Sequence, residues 1–321
     1  MSLVVVKEGL LSTVQDLGRV GYRRFGINPG GVMDRTAARL VNYLLGNERN
    51  APVIELHFPA GSFEFESDRH FAVGGADFWG KLNGRAIDNH TVIKASSGSM
   101  LSFERRNSGN RAYLAIEGGF EADRWLGSAS TNLRAAIGGF QGRRLRTGDR
   151  VEFADRDEAQ SYIGTAIGPS FRHSYRSPAT VRVTAAPEFE ILTALSEQIL
   201  FESTFEISRQ SDRMGFRLSG EPLFRIDDRE MLSSGVTFGT IQLLPDGQMI
   251  ALMADHQTTG GYPRIVTVAS VDLPVLAQMA AGDRVSFERI TTDEAERAYC
   301  ELERSFAFLR FGVSTRSVGV L

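Results

Sequence analysis

The chain has 321 residues, of which 42% are hydrophobic and 23% charged, and its net charge is −3. This length exceeds what one hydrophobic core usually needs, so we expect two domains, and the slightly acidic charge disfavours nucleic acid as a partner. The single cysteine, Cys300, excludes an internal disulfide, and the longest apolar run, Met249–Ala254, is too short to cross a membrane, so we expect a cytoplasmic protein.

Short strands separated by glycine-rich turns dominate the predicted elements. Alternating or continuous apolar residues over four to nine positions are typical of half-buried and buried strands. This pattern predicts strands at Phe63–Glu66, Phe71–Val73, Ala112–Ile116 and Val181–Val183. The fold class expected from these runs is mainly β.

Helical patterns are few. One helix is predicted over Arg35–Leu45, with Asp34 as its N-cap and Gly46 as its left-handed stop. Two more are predicted over Glu188–Leu200 and Thr292–Leu302, the latter with acidic residues in its first turn. We therefore expect a few short helices beside the strands.

A short motif occurs twice along the chain. Thr147–Phe153 reads Thr-Gly-Asp-Arg-Val-Glu-Phe, and Ala281–Phe287 reads Ala-Gly-Asp-Arg-Val-Ser-Phe. Gly-Asp turns before strands are common, but an apolar strand, an acid and Gly-Gly-aromatic also precede each copy, which favours two similar β-rich domains. We place these domains at 1–170 and 171–321, with the polar stretch Ala154–Pro178 as their boundary.

Several kinds of site have no support in the sequence. The only Gly-Lys pair, Gly80–Lys81, is followed by leucine, so a P-loop is excluded, and no Gly-x-Gly-x-x-Gly motif supports a dinucleotide fold. The five histidines show no spacing that would place two imidazoles on one metal, so we expect no metal site. Lys94 lies in Val-Ile-Lys-Ala, which is unlike a biotin-carrier sequence, so we expect no biotin attachment on this chain.

The densest polar cluster is Asp255–Pro263, which reads Asp-His-Gln-Thr-Thr-Gly-Gly-Tyr-Pro and follows an apolar strand. Asp255 beside His256 is a candidate general acid/base pair, the two threonines supply hydroxyls, and Gly260–Gly261 lets backbone N–H groups approach an anion closely. A hydrogen-bonded turn that closes a barrel would explain the same residues without a function. The residues alone leave these two interpretations evenly matched.

Two further clusters contain candidate ligand-binding groups. In Ser-Asp-Arg-Met-Gly, Arg213 predicts a clamp for a carboxylate or phosphate that Asp212 would orient, and a surface ion pair is the alternative. In Thr-Val-Gln-Asp-Leu-Gly-Arg, Gln15 and Asp16 add an amide and an acid near the N-terminus. The set points to a small anionic or amide ligand.

Together these motifs resemble the biotin-dependent carboxyltransferase family, also called allophanate hydrolase subunit 2, which includes the C subunit of 5-oxoprolinase and KipA, the antagonist of the kinase inhibitor KipI. The pattern runs along nearly the whole chain. It is carried by the segments 13–19, 31–34, 142–144, 211–215, 239–242, 255–263 and 282–287.

The resemblance implies two cyclophilin-like β-barrel domains. It also implies a partner that is KipI-like or similar to the B subunit of 5-oxoprolinase, and the A subunit of that enzyme is a further possible partner. The implied function is that of a subunit of an ATP-dependent 5-oxoprolinase, an amide hydrolase that opens 5-oxoproline, a small cyclic amide, to glutamate. The ATP site is not located in this sequence.

The resemblance implies catalytic and substrate-binding roles for residues of the polar clusters. The expected catalytic residues are Asp255 and His256, for proton transfer, and Thr258 and Thr259, as orienting donors. The expected substrate-binding residues are Gln15, Asp16, Asp212, Arg213, Gln257, Gly260, Gly261 and Tyr262.

Two positions depart from the family pattern. Ala129 stands where an arginine is expected within Gly-Ser-Arg-Ser-Thr, and Ala185–Pro187 stands where Gly-Pro is more usual. These departures point to a different substrate or to a diverged paralogue without 5-oxoprolinase activity, and two alternative functions stay open. One is a biotin-dependent carboxyltransferase acting on urea or a related amide, and the other is a non-catalytic antagonist that binds a KipI-like kinase inhibitor.

Overall fold

The computed structural model describes residues 1–154, 163–227 and 229–316. Over these ranges it contains twenty strands and four α-helices, so the mainly β class is confirmed. The strands are β1 (Ser2–Lys7), β2 (Ser12–Gln15), β3 (Val53–His57), β4 (Ser62–Phe65), β5 (Arg69–Asp77), β6 (Gly80–Leu82), β7 (Arg85–Ala86), β8 (Ile93–Ala95), β9 (Met100–Phe103), β10 (Ser108–Ile116), β11 (Arg150–Glu152), β12 (Ala179–Ala185), β13 (Phe205–Ile207), β14 (Gly215–Ser219), β15 (Ser234–Gly235), β16 (Thr240–Leu243), β17 (Met249–Leu252), β18 (Thr259–Gly260), β19 (Arg264–Val268) and β20 (Arg284–Arg289). The helices are α1 (Arg35–Leu44), α2 (Ala194–Glu202), α3 (Leu273–Ala277) and α4 (Thr292–Arg316).

The chain divides into two compact units. The first comprises Met1–Arg19, Gly30–Ser174 and Arg304–Leu321, and the second comprises Val20–Pro29 and Tyr175–Glu303. The first unit therefore includes a C-terminal segment, and the second unit includes the N-terminal segment Val20–Pro29. The predicted domains 1–170 and 171–321, in contrast, are each continuous in sequence. Residues 155–162 of the predicted boundary and residues 317–321 of the predicted second domain lie outside the described residues.

Two antiparallel sheets share one hydrophobic core in the first unit. The six-stranded sheet has the order β11-β1-β4-β9-β6-β7, and the five-stranded sheet has the order β2-β3-β10-β5-β8. Strand β4 illustrates the alternation, because Phe63 and Phe65 are fully buried in this core while Ser62 and Glu64 are only partly covered. The predicted strands at 63–66, 71–73 and 112–116 fall on β4, β5 and β10.

Helix α1 packs its apolar side into the first unit. The Asp34 carboxylate accepts a hydrogen bond from the Ala37 N–H at 2.8 Å, which caps the helix as predicted. The helix ends at Leu44, and Gly46 adopts the left-handed conformation with φ of 64°. Both predicted ends of this helix are thus confirmed to within one residue.

A closed seven-stranded barrel forms the second unit. Its strand order is β12-β19-β16-β17-β14-β13-β20, and β20 pairs in parallel with β12 to close it. Along β14, Phe216 and Leu218 are buried while Arg217 between them is exposed, so alternate residues face the inside and the outside of the barrel. The predicted strand at 181–183 lies within β12.

The repeated motif forms the same turn in both units. Gly148 and Gly282 have φ of 91° and 88°, which a glycine adopts without the strain that a side chain would cause. The carboxylates of Asp149 and Asp283 each accept a hydrogen bond from the backbone N–H three residues earlier, at 2.7 and 2.8 Å. A strand, β11 or β20, follows each turn. The sequence repeat therefore marks a repeated structure.

Two predicted helices have different bounds in the structure. The prediction of a helix over Glu188–Leu200 is wrong at its start, because Phe189–Ile191 forms a 3-10 turn and α2 begins only at Ala194. The reason is Thr193, which is extended and accepts a hydrogen bond from the Ser196 N–H as the N-cap. Helix α4 begins at Thr292 as predicted but continues to Arg316 instead of ending at Leu302.

Candidate functional site

The Asp255–Pro263 segment lies at one edge of the barrel, where β17 ends. Met253 and Ala254 are buried beyond the strand, and the chain then turns into the short strand β18, which pairs with β15. This placement puts a polar segment directly against a rigid barrel strand. Such segments are where binding and catalytic groups concentrate.

Asp255 is held by Arg213 in a two-point ion pair. The guanidinium donates from Nε to Asp255 Oδ2 at 2.8 Å and from Nη2 to Oδ1 at 3.1 Å. The arginine side chain is 7% exposed and the carboxylate 19% exposed, so this pair is shielded from water on most sides. The clamp that the sequence predicts for a ligand therefore engages the chain's own acid.

Asp212 has a local role beside this pair. Its Oδ1 accepts hydrogen bonds from the backbone N–H groups of Met214 at 2.8 Å and Gly215 at 3.3 Å, which fixes the turn before β14. The expectation that Asp212 orients Arg213 is wrong, because Asp255 supplies the carboxylate that does so. Whether Asp212 or Arg213 contacts a substrate stays a prediction.

His256 is buried, at 1% exposure, directly after this pair. Its Nδ1 hydrogen-bonds to the backbone carbonyl of Gln257. A carbonyl oxygen only accepts, so Nδ1 carries the proton, and in the neutral ring Nε2 is the nitrogen with the lone pair. This tautomer is the one a general base at Nε2 requires.

The rest of the segment is more open to solvent. Thr258 is half-buried, Thr259 and Gly261 are exposed, and Tyr262 is 46% exposed. Gly260 lies against a buried amide, because a Cβ atom on this residue would lie 2.7 Å from Gln242 Nε2. The predicted donors of this segment thus differ in how far they are open to solvent.

Gln15 and Asp16 lie in the first unit, at the end of β2. The Asp16 carboxylate, which is 1% exposed, accepts hydrogen bonds from the hydroxyls of Ser128 and Ser130 at 2.6 Å each and from the Ala129 N–H at 2.7 Å. This carboxylate therefore anchors the 128–130 loop, and the backbone of Ala129 contributes although an arginine side chain is missing there. The substrate-binding roles expected of Gln15 and Asp16 stay predictions.

Tyr262 lines two cavities. One, of about 330 Å³, is lined by Arg217, Gln242, Leu244, Pro245, Asp246, Ile250, Gln257 and Tyr262. The other, of about 300 Å³, is lined by Arg225, Arg229, Glu230, Met231, Leu243, Leu244, Pro245, Gly261, Tyr262 and Pro263. Both volumes fall at the lower end of the range for small-molecule sites.

Sequence reasoning found only Gln257 and Tyr262 among the residues of the first cavity, and it missed Arg217 and Gln242. Gln242 ends the Gly-Thr-Ile-Gln segment that carries part of the family pattern, so a signal for it existed. Arg217 is one of many arginines, and only its alternation with two buried neighbours on β14 places it on the outer face. In the part of the chain that the structure describes, no cluster of three or more metal-ligating side chains occurs, and no helix has the length and apolar character needed to cross a membrane.

Comparison with known proteins decides the family. Residues 25–289 match the carboxyltransferase domain family, subdomain A and B. The chain belongs to this family. The match covers most of both units, including the Asp255–Pro263 segment.

Two bacterial proteins resemble the chain along almost its whole length. The C subunit of 5-oxoprolinase from Escherichia coli (strain K12) is 37% identical over 308 residues, which cover 95% of this chain and 96% of that protein. The C subunit of 5-oxoprolinase from Haemophilus influenzae is 38% identical, with 89% of this chain and 90% of that protein covered.

A solved structure has a closely similar fold. The crystal structure of the Kluyveromyces lactis urea amidolyase superimposes with a TM-score of 0.91 at 25% sequence identity and covers 96% of this chain. The chain spans only 20% of the length of that larger protein. In that protein the similar fold is one part of a longer chain.

Proposed function

We propose that this chain is a subunit of a 5-oxoprolinase, which together with partner subunits and ATP hydrolyses 5-oxoproline to glutamate. The observation that carries the proposal is the near full-length similarity, at 37% and 38% identity, to two proteins named as the C subunit of 5-oxoprolinase. Similarity over 96% and 90% of those proteins leaves little of either without a counterpart here.

The geometry around His256 supports this chemistry. Opening a lactam requires a base for the attacking water, a proton for the leaving nitrogen, and donors for the developing negative charge on oxygen. His256, with Nδ1 tied to a backbone carbonyl, presents the tautomer that can accept a proton at Nε2. Asp255, fixed by Arg213, and the hydroxyls of Thr258 and Thr259 would supply charge balance and orientation.

Partners and ATP belong to the proposal as well. The name of the two bacterial relatives describes one subunit of several. We expect a partner that is KipI-like or similar to the B subunit of 5-oxoprolinase, and the A subunit of that enzyme is a further one. ATP would supply the activation that amide hydrolysis needs under cellular conditions, at a site that none of the described motifs marks. A cytoplasmic location follows from the same proposal.

The proposal is tested by measuring glutamate release from 5-oxoproline and ATP with all subunits present. We expect His256→Ala to lower the rate at least about 100-fold, the usual contribution of a general acid or base. Asp255→Asn is expected to lower the rate as well, because it removes the charge that Arg213 holds in place.

The matched control for Asp255→Asn is Glu197→Gln. Glu197 also pairs with an arginine, Arg289 at 2.9 Å, but both side chains are about half exposed, at 44% and 51%. This variant should keep the full rate. Full activity in both His256→Ala and Asp255→Asn would remove the assigned roles.

A second candidate is favoured by the fold match to the K. lactis urea amidolyase. In this alternative the chain is a carboxyltransferase for urea or another small amide, with biotin carried on a different protein. Turnover would then require bicarbonate and a biotinylated partner. Avidin would abolish this activity and leave a 5-oxoprolinase unaffected, so one inhibitor separates the two candidates.

A further inference from the structure

Three neighbouring strands of the barrel present one row of side chains on its outer face. In the register of the sheet, Ile250 on β17 lies opposite Arg217 on β14 and opposite Gln242 on β16. Adjacent strands are about 4.8 Å apart, so the backbones of Arg217 and Gln242 are separated by about 10 Å with Ile250 between them. These three residues form the floor of the cavity of about 330 Å³.

Gln242 is a buried amide whose nitrogen is hydrogen-bonded and whose oxygen is not. It is 1% exposed, and its Nε2 donates to the backbone carbonyl of Tyr262 at 2.9 Å. That acceptor fixes the orientation of the amide and makes the other atom the carbonyl oxygen. Among the described residues, no donor reaches this Oε1. An enclosed carbonyl oxygen without a donor is unfavourable, so the arrangement suits a ligand that brings an N–H group.

Arg217, at the other end of the row, supplies charged hydrogen-bond donors, whereas Gln242 supplies an acceptor. Its side chain is exposed, and within the described ranges no carboxylate or carbonyl engages its guanidinium. Asp246 is the other charged residue of the lining, and its Oδ1 accepts a hydrogen bond from the Gln248 N–H at 3.0 Å, which holds the turn between β16 and β17. The Arg217 guanidinium can therefore bind an anionic ligand through two parallel hydrogen bonds.

The remaining walls suit a compact ring. Leu244, Pro245 and Ile250 are apolar, and Tyr262 also lines the cavity. Gln257 adds a half-buried amide from the candidate catalytic segment, next to His256. The cavity thus joins an anion-binding end, an apolar middle and an N–H-accepting end.

We propose that this cavity binds a small cyclic amide that carries a carboxylate, with Arg217 binding the carboxylate and Gln242 Oε1 accepting the ring N–H. The proposal rests on the proposed function, because 5-oxoproline has these two groups on one five-membered ring. It adds the two residues that distinguish such a molecule from urea, which has N–H groups but no carboxylate.

The test measures binding of three ligands to the full chain by titration calorimetry. The ligands are 5-oxoproline, its carboxamide, which lacks the charge, and the corresponding lactone carboxylate, in which a ring oxygen replaces the N–H. We expect the carboxamide and the lactone each to bind about tenfold more weakly than 5-oxoproline, since each leaves one protein group without its partner.

Substitutions assign the two ends of the cavity. Arg217→Ala should weaken 5-oxoproline about tenfold and remove its preference over the carboxamide, whereas Arg284→Ala, at another exposed strand position, should change neither. Gln242→Leu should remove the preference over the lactone. Gln242 also hydrogen-bonds to the backbone of Tyr262, so thermal unfolding checks that Gln242→Leu is still folded. The affinity of the unaltered chain for the lactone tests the role of Gln242 Oε1 without any substitution.

The outcomes separate this site from the function on which it rests. Equal affinity for all three ligands, no binding of 5-oxoproline, or an unchanged carboxylate preference in Arg217→Ala would overturn the site. If glutamate release nonetheless depends on this chain, the proposed function stands and only the site fails. Binding with both preferences in a chain whose complex releases no glutamate supports the site and removes the function.

Discussion

Two neighbouring glycines in the Asp255–Pro263 segment have different surroundings. A Cβ on Gly260 would lie 2.7 Å from Gln242 Nε2 and 3.2 Å from its Oε1, whereas the nearest atom to a Cβ on Gly261 is Ser233 Oγ at 3.6 Å. Because Gln242 is buried and hydrogen-bonded, it cannot move away cheaply. Gly260→Ala should therefore cost about 1–3 kcal/mol of unfolding free energy, as overpacking usually does.

Gly261→Ala is the matched control for this prediction. Neither glycine has a positive φ, so an alanine adds only a methyl group at either position. Chemical denaturation should show a lower midpoint for Gly260→Ala and an unchanged one for Gly261→Ala. Equal midpoints for the two variants would contradict the close packing of Gly260 on Gln242.

His90 couples the stability of the first unit to pH. It is 6% exposed, and its Nε2 accepts a hydrogen bond from the Gly75 N–H at 3.2 Å, which requires the neutral ring. Burial lowers the pKa of His90 from 6.5 to about 4, with the positive charge of Arg172 adding to the effect. In the unfolded chain this histidine has its ordinary pKa, so the unfolded state binds more protons between these values.

The contribution of His90 is fully present above pH 6.5 and is lost as the pH falls toward 4. The loss amounts to about 3 kcal/mol by pH 4. His90→Asn tolerates the positive φ of 59° and does not titrate, so its unfolding free energy should fall less over this range than that of the unaltered chain. Denaturation curves at several pH values measure the difference, and parallel pH profiles would refute the assignment.

Local residue roles can be predicted from the sequence, and long-range ones cannot. Asp34 is predictable as a cap because its partner, the Ala37 N–H, lies three residues away. The partners of Asp16 are Ser128 and Ser130, more than a hundred residues away, so only the folded chain shows that this carboxylate anchors a loop. The pairing of Arg213 with Asp255 is hidden for the same reason.

At the scale of elements, the repeated turn allows a paired prediction. Gly148 and Gly282 have nearly the same φ, and no atom lies within 4 Å of a Cβ built on either one. An alanine would meet backbone strain alone, of about 1–2 kcal/mol, and the cost should be nearly equal in the two units. Gly235→Ala, with open space and no positive φ, is the control and should change little.

Thermal unfolding of the three glycine variants measures this prediction. Similar losses of unfolding free energy in Gly148→Ala and Gly282→Ala, with little change in Gly235→Ala, would show that the two turns contribute equally to stability. A large loss at only one of the two turns would mean that the resemblance between them stops at backbone geometry.

The elements themselves are largely predictable, because strands and helices follow local periodicity. Strands β4, β5, β10 and β12 lie where alternating or continuous apolar residues predict them. The start of α2 escapes prediction because a threonine that caps, such as Thr193, looks the same in sequence as one inside a helix. Helix α4 is predicted too short because its apolar residues after Leu302 show no single stripe.

At the scale of the whole molecule, the sequence indicates the family, while the structure is needed to define the units. The repeat of Gly-Asp-Arg-Val predicts two related β-rich parts, and each copy begins a strand in a different unit. Segments 20–29 and 304–316 belong to units other than those their position in the chain suggests, because contacts and not chain order define a compact unit.

The central claim is that this chain is a required subunit of a 5-oxoprolinase. It is tested most directly by reconstituting the complex with and without the chain and measuring glutamate release from 5-oxoproline and ATP, each with avidin as a control. We expect glutamate release only when the chain is present, with no effect of avidin. Release that is unchanged when the chain is omitted, or that avidin abolishes, would contradict it.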